Sequence, residues 1–339
     1  MERPQHLKRI LLSGVCIAAT SLGSTLFAQA QVQVDWTTMD PGLVGGVRAL
    51  DISPDGRYVA YGSEFASEIK IRRMSDGALV TNLQVGTNMG VTGVEFSPVT
   101  SEIVSSWNLL GWSGAVFGGS ERFRAGHTAP AMTSTAHDAF VTCIAWSPTG
   151  ASILTAAADG EASLANPATG AILRTVDHGS GVSSIAWTPD GTHFATGGVN
   201  GDVKIWDAST GALKRTIVAH LSIVSEMEFH SDNQHLATGG GDPGVDTAIH
   251  VHDSYSGSLI TSHTIQYEEV TGLAFVANGS LLMSSDYSGT LRISQSFGPL
   301  EISTIDLGRG PRVTSLDVDA ATGRYAYGTG SGWITVARR

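Results

Sequence analysis

The sequence predicts an all-β fold built from seven similar units, and two observations carry this prediction. First, a valine followed by apolar or aromatic residues three and five positions later recurs seven times, at intervals of 41 to 50 residues. Second, each copy precedes residues that favour tight turns, such as Ser53-Pro54-Asp55-Gly56. No segment shows the 3.6-residue periodicity of an amphipathic helix. The copies begin at Val47, Val91, Val141, Val182, Val224, Val270 and Val313.

Each unit holds more than one strand. The segment "HFATGG" at 193–198 returns as "HLATGG" at 235–240, and further strand-like runs at 203–207 and 212–218 are separated by turns that contain glycine. Four antiparallel strands in a repeat of 40 to 50 residues are typical of a propeller blade. The sequence therefore predicts a seven-bladed β-propeller of four-stranded antiparallel blades.

The seventh unit lacks a fourth strand. Its third predicted strand covers 333–337, and only Arg338 and Arg339 follow. A ring with an unpaired edge at that junction is unfavourable, and residues 31–36 have the alternating pattern of a strand. We expect the N-terminal strand to close the last blade.

Residues 1–30 have the features of a signal peptide, and residues 31–339 are predicted to form the propeller. Arg3, Lys8 and Arg9 precede an apolar stretch at 10–19, and Ala28-Gln29-Ala30 supplies small residues for cleavage after Ala30. Polar and small residues interrupt the stretch before 18 apolar residues accumulate, which disfavours a membrane anchor. We expect a periplasmic or secreted protein with no membrane span after cleavage.

The composition limits the partners. Removing residues 1–30 reduces 20 basic and 31 acidic residues to 17 and 30, so the formal charge becomes about −13. This charge repels phosphate backbones, so we expect no nucleic-acid partner and favour a partner protein with a basic or neutral surface. Cleavage also leaves Cys143 as the single cysteine, which excludes an intramolecular disulfide. We expect the chain itself to be monomeric.

These features resemble the WD-repeat β-propeller family over residues 31–339, with Trp206-Asp207 as the one full Trp-Asp signature. The resemblance implies a buried hydrogen-bonded set of His, Ser or Thr, Asp and Trp in each unit. The fourth unit has Asn in place of Asp, the third unit has Ala165 in place of Trp, and the fifth has His252 there. The matching positions are His178, Thr196, Asn200 and Trp206, then His137, Thr155 and Asp159, then His220, Thr238 and Asp246.

Evidence for an enzyme is weak. His137, Thr155 and Asp159 have the residue types of a hydrolase triad, but they occupy positions of the structural set that the resemblance implies. The sequence contains no Gly-x-Ser-x-Gly, phosphate-binding loop, His-Glu-x-x-His or paired cysteines. We expect no catalytic residues and no cofactor.

Two patterns suggest a metal, and for each we favour another role. His250 and His252 lie two residues apart on a predicted strand, a spacing that could chelate Zn or Cu, but His252 occupies a Trp position of the core. Four carboxylates share the fifth place of the inner-strand pattern. They could bind a cation in the channel, but we favour the alternative that they are solvated side chains. Glu226, in the adjacent ring, has no explanation in the pattern. The four carboxylates are Asp51, Glu95, Glu228 and Asp317.

Insertions indicate where a partner binds. The second unit contains "SSWNLLGWSGAVFGG" and "RAGHTAPAMTSTAHD", and the fifth contains "GGGDPGVD". We place the second of these before the next blade and the other two between second and third strands, so all three are predicted to lie on one face. Trp107 and Trp112 are interface candidates, although core strands could hold either. The predicted partner-binding residues are Trp107, Trp112, Tyr287, Asp242 and Asp246.

Two functional hypotheses follow from the sequence. The leading one is a non-catalytic, exported scaffold that binds another protein on the face that carries the insertions. The alternative is a propeller enzyme, or a binder of a small ligand or metal, with its site in the mouth of the central channel. Fold class alone does not separate them.

Overall fold

A computed structural model of the chain describes residues 32–43, 45–86, 89–109, 118–123, 132–263, 268–298, 300–307, 312–319 and 321–338. These residues form 28 β-strands in seven four-stranded antiparallel sheets. The predicted seven-bladed propeller is confirmed. The proposed signal peptide at 1–30 lies outside the described residues. Within the described ranges, no helix combines the length and hydrophobicity that a membrane crossing requires.

Each blade has an inner strand, two middle strands and an outer strand. The inner strands are β2 (Ala49–Ile52), β6 (Met89–Phe96), β10 (Val141–Trp146), β14 (Val182–Trp187), β18 (Val224–Phe229), β22 (Val270–Val276) and β26 (Val313–Asp319). The second strands are β3 (Tyr58–Gly62), β7 (Ile103–Leu109), β11 (Ile153–Ala157), β15 (His193–Gly198), β19 (His235–Gly240), β23 (Leu281–Asp286) and β27 (Arg324–Thr329).

The third strands are β4 (Glu68–Arg73), β8 (Gly118–Phe123), β12 (Glu161–Ala165), β16 (Asp202–Asp207), β20 (Ile249–Asp253), β24 (Thr290–Gln295) and β28 (Trp333–Arg338). The outer strands are β5 (Leu79–Gln84), β9 (Met132–His137), β13 (Ile172–Asp177), β17 (Leu213–Val218), β21 (Leu259–His263), β25 (Glu301–Asp306) and, for blade 7, β1 (Gln33–Met39).

The repeated sequence pattern builds the contact between neighbouring blades. At four of the seven junctions, the first valine of an inner strand packs against a glycine on the second strand of the preceding blade. The four glycines are Gly62, Gly197, Gly239 and Gly328. A Cβ at Gly197 would lie 2.8 Å from Val224 Cγ1, and one at Gly239 would lie 2.6 Å from Val270 Cγ1. Real Cβ atoms do not approach other atoms so closely, so only glycine lets the blades pack at this distance. The repeated "ATGG" therefore supplies the glycine for the close contacts that follow blades 4 and 5.

The N-terminal strand closes the ring, as predicted. β1 pairs with β28 from Gln33, opposite Arg338, to Met39, opposite Trp333. The strand extends beyond the predicted 31–36. A bulge between Val34 and Trp36 interrupts the register, and the intervening Asp35 forms ion pairs with Arg324 at 3.0 Å and Arg338 at 3.3 Å.

Trp36 connects the closing strand to the first blade. Its Nε1 donates a hydrogen bond of 2.8 Å to the carbonyl of Met74, in the turn that follows β4. Its ring also lies against Gly77, where an added Cβ would be 2.9 Å from Cδ2 of the indole. The first and last blades therefore share side-chain contacts as well as a sheet.

We predict that deleting residues 33–39 lowers the free energy of unfolding by about 3 kcal/mol or more. The deletion removes a full strand and the packed Trp36, and truncating one packed Trp typically costs about 3 to 5 kcal/mol. Thermal unfolding of the deleted and full proteins measures the change. Val34→Ala, which alters an exposed side chain of the same strand, should change stability little. A deleted protein as stable as the control variant would contradict closure by β1.

Candidate functional site

The connecting segments lie at two ends of the ring. In an antiparallel blade, the connection between the second and third strands lies at the same end as the connection to the next blade. We call this end the upper face. The other end carries the first-to-second and third-to-fourth connections, and we call it the lower face.

One of the three insertions is described, and it maps to the upper face: residues 241–248 connect β19 to β20. Residues 110–117 and 124–131 lie outside the described residues. The segment "RAGHTAPAMTSTAHD" was expected to connect blade 2 to the next blade, but Met132–His137 within it forms β9, the outer strand of blade 2. The segment is therefore mostly not an inter-blade connection, because its small and polar residues pair with β8.

Trp107 is a core residue. It lies in β7, is 4% exposed, and belongs to a buried cluster with Ile103 and Phe123. Its side chain is therefore unavailable to a partner, and its role here is to pack blade 2 against its neighbour. Trp112 lies outside the described residues.

The insertion in blade 5 is fixed by Asp246. The Oδ2 atom of Asp246 accepts hydrogen bonds from Nδ1 of His220 at 3.1 Å and from the backbone N–H of Leu221 at 3.0 Å, and Oδ1 accepts one from Ala248. Asp246 is therefore a structural anchor that ties the insertion to the connection from blade 4. Asp242 pairs with Asp246 through the backbone in an isolated bridge and is only partly buried.

Tyr287 lies on the upper face between β23 and β24. The guanidinium of Arg312 stands 4.8 Å from its ring centroid, and Nη1 of Arg312 donates to the phenol oxygen at 3.3 Å. The backbone N–H of Tyr287 donates to the carbonyl of Glu269 at 2.9 Å. These contacts hold the half-buried ring in place at the rim.

Exposed apolar side chains are present on the upper face. Leu221 is 80% exposed and Val245 is 53% exposed. They belong to the two segments that Asp246 ties together, so a rigid part of blades 4 and 5 displays them. Apolar groups exposed together are typical of surfaces that bind other molecules. Further exposed apolar residues on upper-face connections are Phe65, Phe140 and Val199.

The hydrogen-bonded set of blade 4 holds its core together. Nδ1 of His178 lies 2.7 Å from Oγ1 of Thr196, and Nε1 of Trp206 donates to the same oxygen at 2.9 Å. Asn200 donates to Asp202 at 2.9 Å and accepts from Ser180 at 3.0 Å. Thr196 is therefore the centre of a buried network that joins two strands to the connection from blade 3.

The histidine of blade 3 makes the contacts of a structural network. Nε2 of His137 lies 3.0 Å from Oγ1 of Thr155, and Nδ1 lies 3.3 Å from Oδ2 of Asp159. His137 and Thr155 are both buried. A nucleophile must be reachable by substrate, and this hydroxyl is not. The arrangement therefore serves packing.

The pair His250 and His252 does not present convergent ligand atoms. Nδ1 of His250 donates to the carbonyl of Ala219 at 2.7 Å, and its ring stacks on His220 with centroids 4.7 Å apart. His252 is buried opposite Leu236, as Trp206 is opposite Phe194 in blade 4. Burial, followed by the nearby His250 and His220, lowers the pKa of His252 to about 4, so the ring is neutral in the core.

A cavity of about 430 Å³ occupies the central channel and reaches the upper face. Its walls are the second to fourth positions of the inner strands. The second positions form a ring of hydroxyl groups interrupted by Arg48. The members of this ring are Arg48, Thr92, Thr142, Ser183, Ser225, Thr271 and Thr314.

Two carboxylates face the same cavity. Burial raises the pKa of Glu226 to about 8; the Arg48 guanidinium opposes the shift, and the Glu269 carboxylate adds to it. Burial also raises the pKa of Glu269. The channel mouth is thus polar, with acidic groups on one side.

The Cys143 thiol also lines the cavity. Burial raises its pKa to about 12, so this thiol is protonated and unreactive at neutral pH.

The four carboxylates at the fifth inner-strand position connect neighbouring blades. Each accepts a hydrogen bond from the backbone of the next inner strand, where we expected solvated side chains. Burial is the main cause of the raised pKa of all four groups, which reaches about 8 for Glu95 and Glu228. The bonds run from Phe96 to Asp51 at 2.7 Å, Trp146 to Glu95 at 2.5 Å, Phe275 to Glu228 at 2.9 Å and Ile52 to Asp317 at 2.7 Å.

We predict that Glu228→Gln stabilises the protein increasingly as the pH rises. The folded-state pKa of about 8 exceeds that of an unfolded glutamate, so the stability linked to this group is fully present below about pH 4 and is lost as the pH rises through 8. Glutamine stays neutral and its carbonyl can accept from Phe275. Thermal unfolding at pH 4 and pH 9 should show an advantage of roughly 5 kcal/mol for the variant only at pH 9.

The exposed Glu161→Gln is the matched control and should show no such trend. An equal effect of Glu228→Gln at both pH values would contradict a protonated carboxyl group at this contact.

Comparison with known proteins agrees with the geometry. Four segments match the family model described as "WD domain, G-beta repeat": residues 129–164, 170–207, 211–253 and 256–293. Each begins shortly before an outer strand and ends in the third strand of the next blade. With its seven blades, the chain belongs to the WD-repeat β-propeller family. No curated protein matches the chain. Propellers of this family generally act as non-catalytic scaffolds for protein interactions.

Proposed function

We propose that this propeller is an exported, non-catalytic scaffold that binds another protein through its upper face. The observation that carries the proposal is the pair of exposed side chains at Leu221 and Val245, displayed on segments that Asp246 locks together. A rigid apolar display loses little conformational entropy on binding, so most of its burial contributes to affinity. We exclude Trp107 from the proposed contact residues because it is buried, and Asp246 because it anchors the loop. We retain Asp242 and Tyr287.

The charge of the propeller supports the choice of partner. With a formal charge of about −13 for residues 31–339, the chain attracts basic surfaces and repels acidic ones. Asp242 stands beside the apolar pair, and Glu226 and Glu269 lie in the channel mouth. We therefore propose a partner protein with a basic or neutral surface, bound by a monomeric propeller.

The channel cavity favours one alternative, a small ligand bound in its mouth. A polar wall with Glu226 and Glu269 suits a ligand that carries an amine and hydroxyl groups. Glu226→Gln separates the two functions, because it replaces the carboxyl group facing the cavity with an amide while leaving the rim unchanged. Loss of ligand binding in this variant, with Leu221 variants unaffected, would establish the alternative.

We predict that Leu221→Asp and Tyr287→Ala weaken binding of the partner recovered by cross-linking from the exported fraction. Loss of an anchor side chain at an interface typically costs about 2 kcal/mol, or roughly thirtyfold in affinity. Matched variants on the lower face are Leu300→Asp and Tyr255→Ala, which alter exposed side chains of the same types. Affinities measured by calorimetry should fall only for the upper-face variants. Greater sensitivity of the lower-face pair would refute the proposed surface.

We predict that the mature protein begins at Gln31. Expression of the full chain in a host with a general secretion pathway should give exported protein whose intact mass corresponds to residues 31–339, because Ala28-Gln29-Ala30 precedes the cleavage point. Ala28→Lys should block processing, since the peptidase reads small residues there. Full-length protein retained inside the cell would contradict export.

A further inference from the structure

The lower-face turn of blade 5 brings together two imidazoles and a carboxylate. Nδ1 of His230 lies 2.9 Å from Oδ2 of Asp232, and Nδ1 of His235 lies 2.6 Å from the same oxygen. One ligand atom from each residue lies within 4.8 Å of the others. The turn between β18 and β19 therefore gathers two nitrogens and an oxygen around one point.

The second carboxylate oxygen of Asp232, Oδ1, keeps the carboxylate oriented. Oδ1 of Asp232 accepts hydrogen bonds from the backbone N–H groups of Gln234 at 2.8 Å and His235 at 3.1 Å. These backbone bonds fix the orientation of the carboxylate, so its Oδ2 atom faces both rings.

Blade 4 contains the same turn without the first imidazole. There Thr188 donates to Oδ1 of Asp190 at 2.7 Å, and His193 occupies the place of His235. A hydroxyl group is thus sufficient to stabilise this turn. His230 adds a metal-binding group that the turn itself does not need.

The neighbouring blade makes room for the additional ring. A Cβ at Gly279 would lie 1.8 Å from Nε2 of His230, so any side chain there would collide with the imidazole. Gly279 has a φ of 83°, and the equivalent residue of blade 5 is Asn233, with a φ of 63°. Glycine at this turn therefore permits His230, whereas the turn beside Thr188 carries an asparagine.

Nδ1 of His230 lies close to both the backbone and the carboxylate of Asp232. The distances are 3.2 Å to the backbone nitrogen and 2.9 Å to Oδ2. A cation at Oδ2 would take the place of a proton between the nitrogen and the oxygen, because imidazole binds metals through an unprotonated nitrogen.

Aromatic rings enclose one side and solvent reaches the other. The ring centroid of His230 lies 4.9 Å from that of Phe275 and 5.2 Å from that of Phe297, and Phe297 also covers His235 at 4.7 Å. The side chains of Asp232 and His235 remain 34% and 23% exposed. An ion can therefore enter from solvent and retain a water ligand.

We propose that His230, Asp232 and His235 form a binding site for a transition-metal dication, with Zn²⁺ as the ion the donor set suits. Two imidazole nitrogens and one carboxylate oxygen are typical Zn²⁺ ligands, and three protein ligands leave one position for water. Metal–ligand distances of about 2.0 to 2.2 Å place tetrahedral donors roughly 3.3 Å apart. The two distances from imidazole Nδ1 to Oδ2 of Asp232, now 2.9 and 2.6 Å, would therefore lengthen on binding. The site lies on the lower face, away from the proposed protein-binding surface.

The test is Zn²⁺ titration of untagged, chelator-treated protein, followed by calorimetry and by elemental analysis after dialysis. We expect one equivalent of Zn²⁺ in the wild type and a higher melting temperature with Zn²⁺ present. His230→Thr copies the turn of blade 4, so it should fold normally. It should weaken binding by more than the roughly 10- to 100-fold that changes beside a metal ligand typically cause. Co²⁺ should give visible absorption bands in the wild type that are absent in this variant.

Two controls exclude other histidines. His193→Ala removes the corresponding ring of blade 4, and His250→Ala removes the other candidate ligand pair; both should retain one equivalent of Zn²⁺. Wild-type protein that binds no Zn²⁺, or binding that survives His230→Thr and is lost in His250→Ala, would overturn the proposal. The proposal that the upper face binds a partner is tested independently, with the Leu221 variants.

Discussion

Closure of the ring by one antiparallel pair, β1 with β28, is the constraint on which the other blades depend. Each blade packs against two neighbours, so an open junction would expose the apolar flanks of blades 1 and 7 together. The chain closes this junction with its first described strand, and Asp35 and Trp36 add an ion pair and an indole contact there. The two ends of the propeller are thus held in one sheet.

Stacking between blades uses contacts that repeat with the sequence. The valine–glycine contact sets the spacing at four junctions, and carboxylates at four inner-strand positions hold the backbone of the next blade. Because these carboxyl groups are buried, their pKa values rise, and those of Glu95 and Glu228 reach about 8, so these two groups are largely neutral at neutral pH. The rigid ring leaves its connecting segments free to differ, and both proposed sites are in such segments.

The sequence predicted the fold well because the repeat is imposed by packing. The valine pattern and the turn residues recur because each blade has the same packing requirements. The fourth strand of the last blade could be predicted because every blade needs four strands. A connecting segment that differs from blade to blade has no repeated pattern from which its structure can be predicted. The polar segment that forms β9 was therefore assigned to a loop, and Trp107 was considered for an interface although β7 buries it. The sequence placed Asp246 both in the structural hydrogen-bonded set and among the partner-binding residues. Its side chain contacts His220 and the backbone of Leu221 and Ala248, which is the structural role.

The His230 cluster is present in the sequence as a His-x-Asp-x-x-His pattern. The same residues also fit the turn that follows each inner strand, so the pattern alone does not indicate a metal site. Aligning the turns would have shown a ring nitrogen where blades 1 to 4 have a hydroxyl group, at Ser53, Ser97, Ser147 and Thr188. The space that Gly279 provides depends on how two blades stack, and this is visible only in three dimensions.

Native-state hydrogen exchange tests the central claim most directly. If β1 closes the ring, the amides of Gln33–Met39 that pair with β28 should exchange only through global unfolding, with the same free energy as amides of the inner strands. Exchange of β1 amides by local fraying, while the inner strands stay protected, would contradict the account, because the ring would then persist without its closing strand.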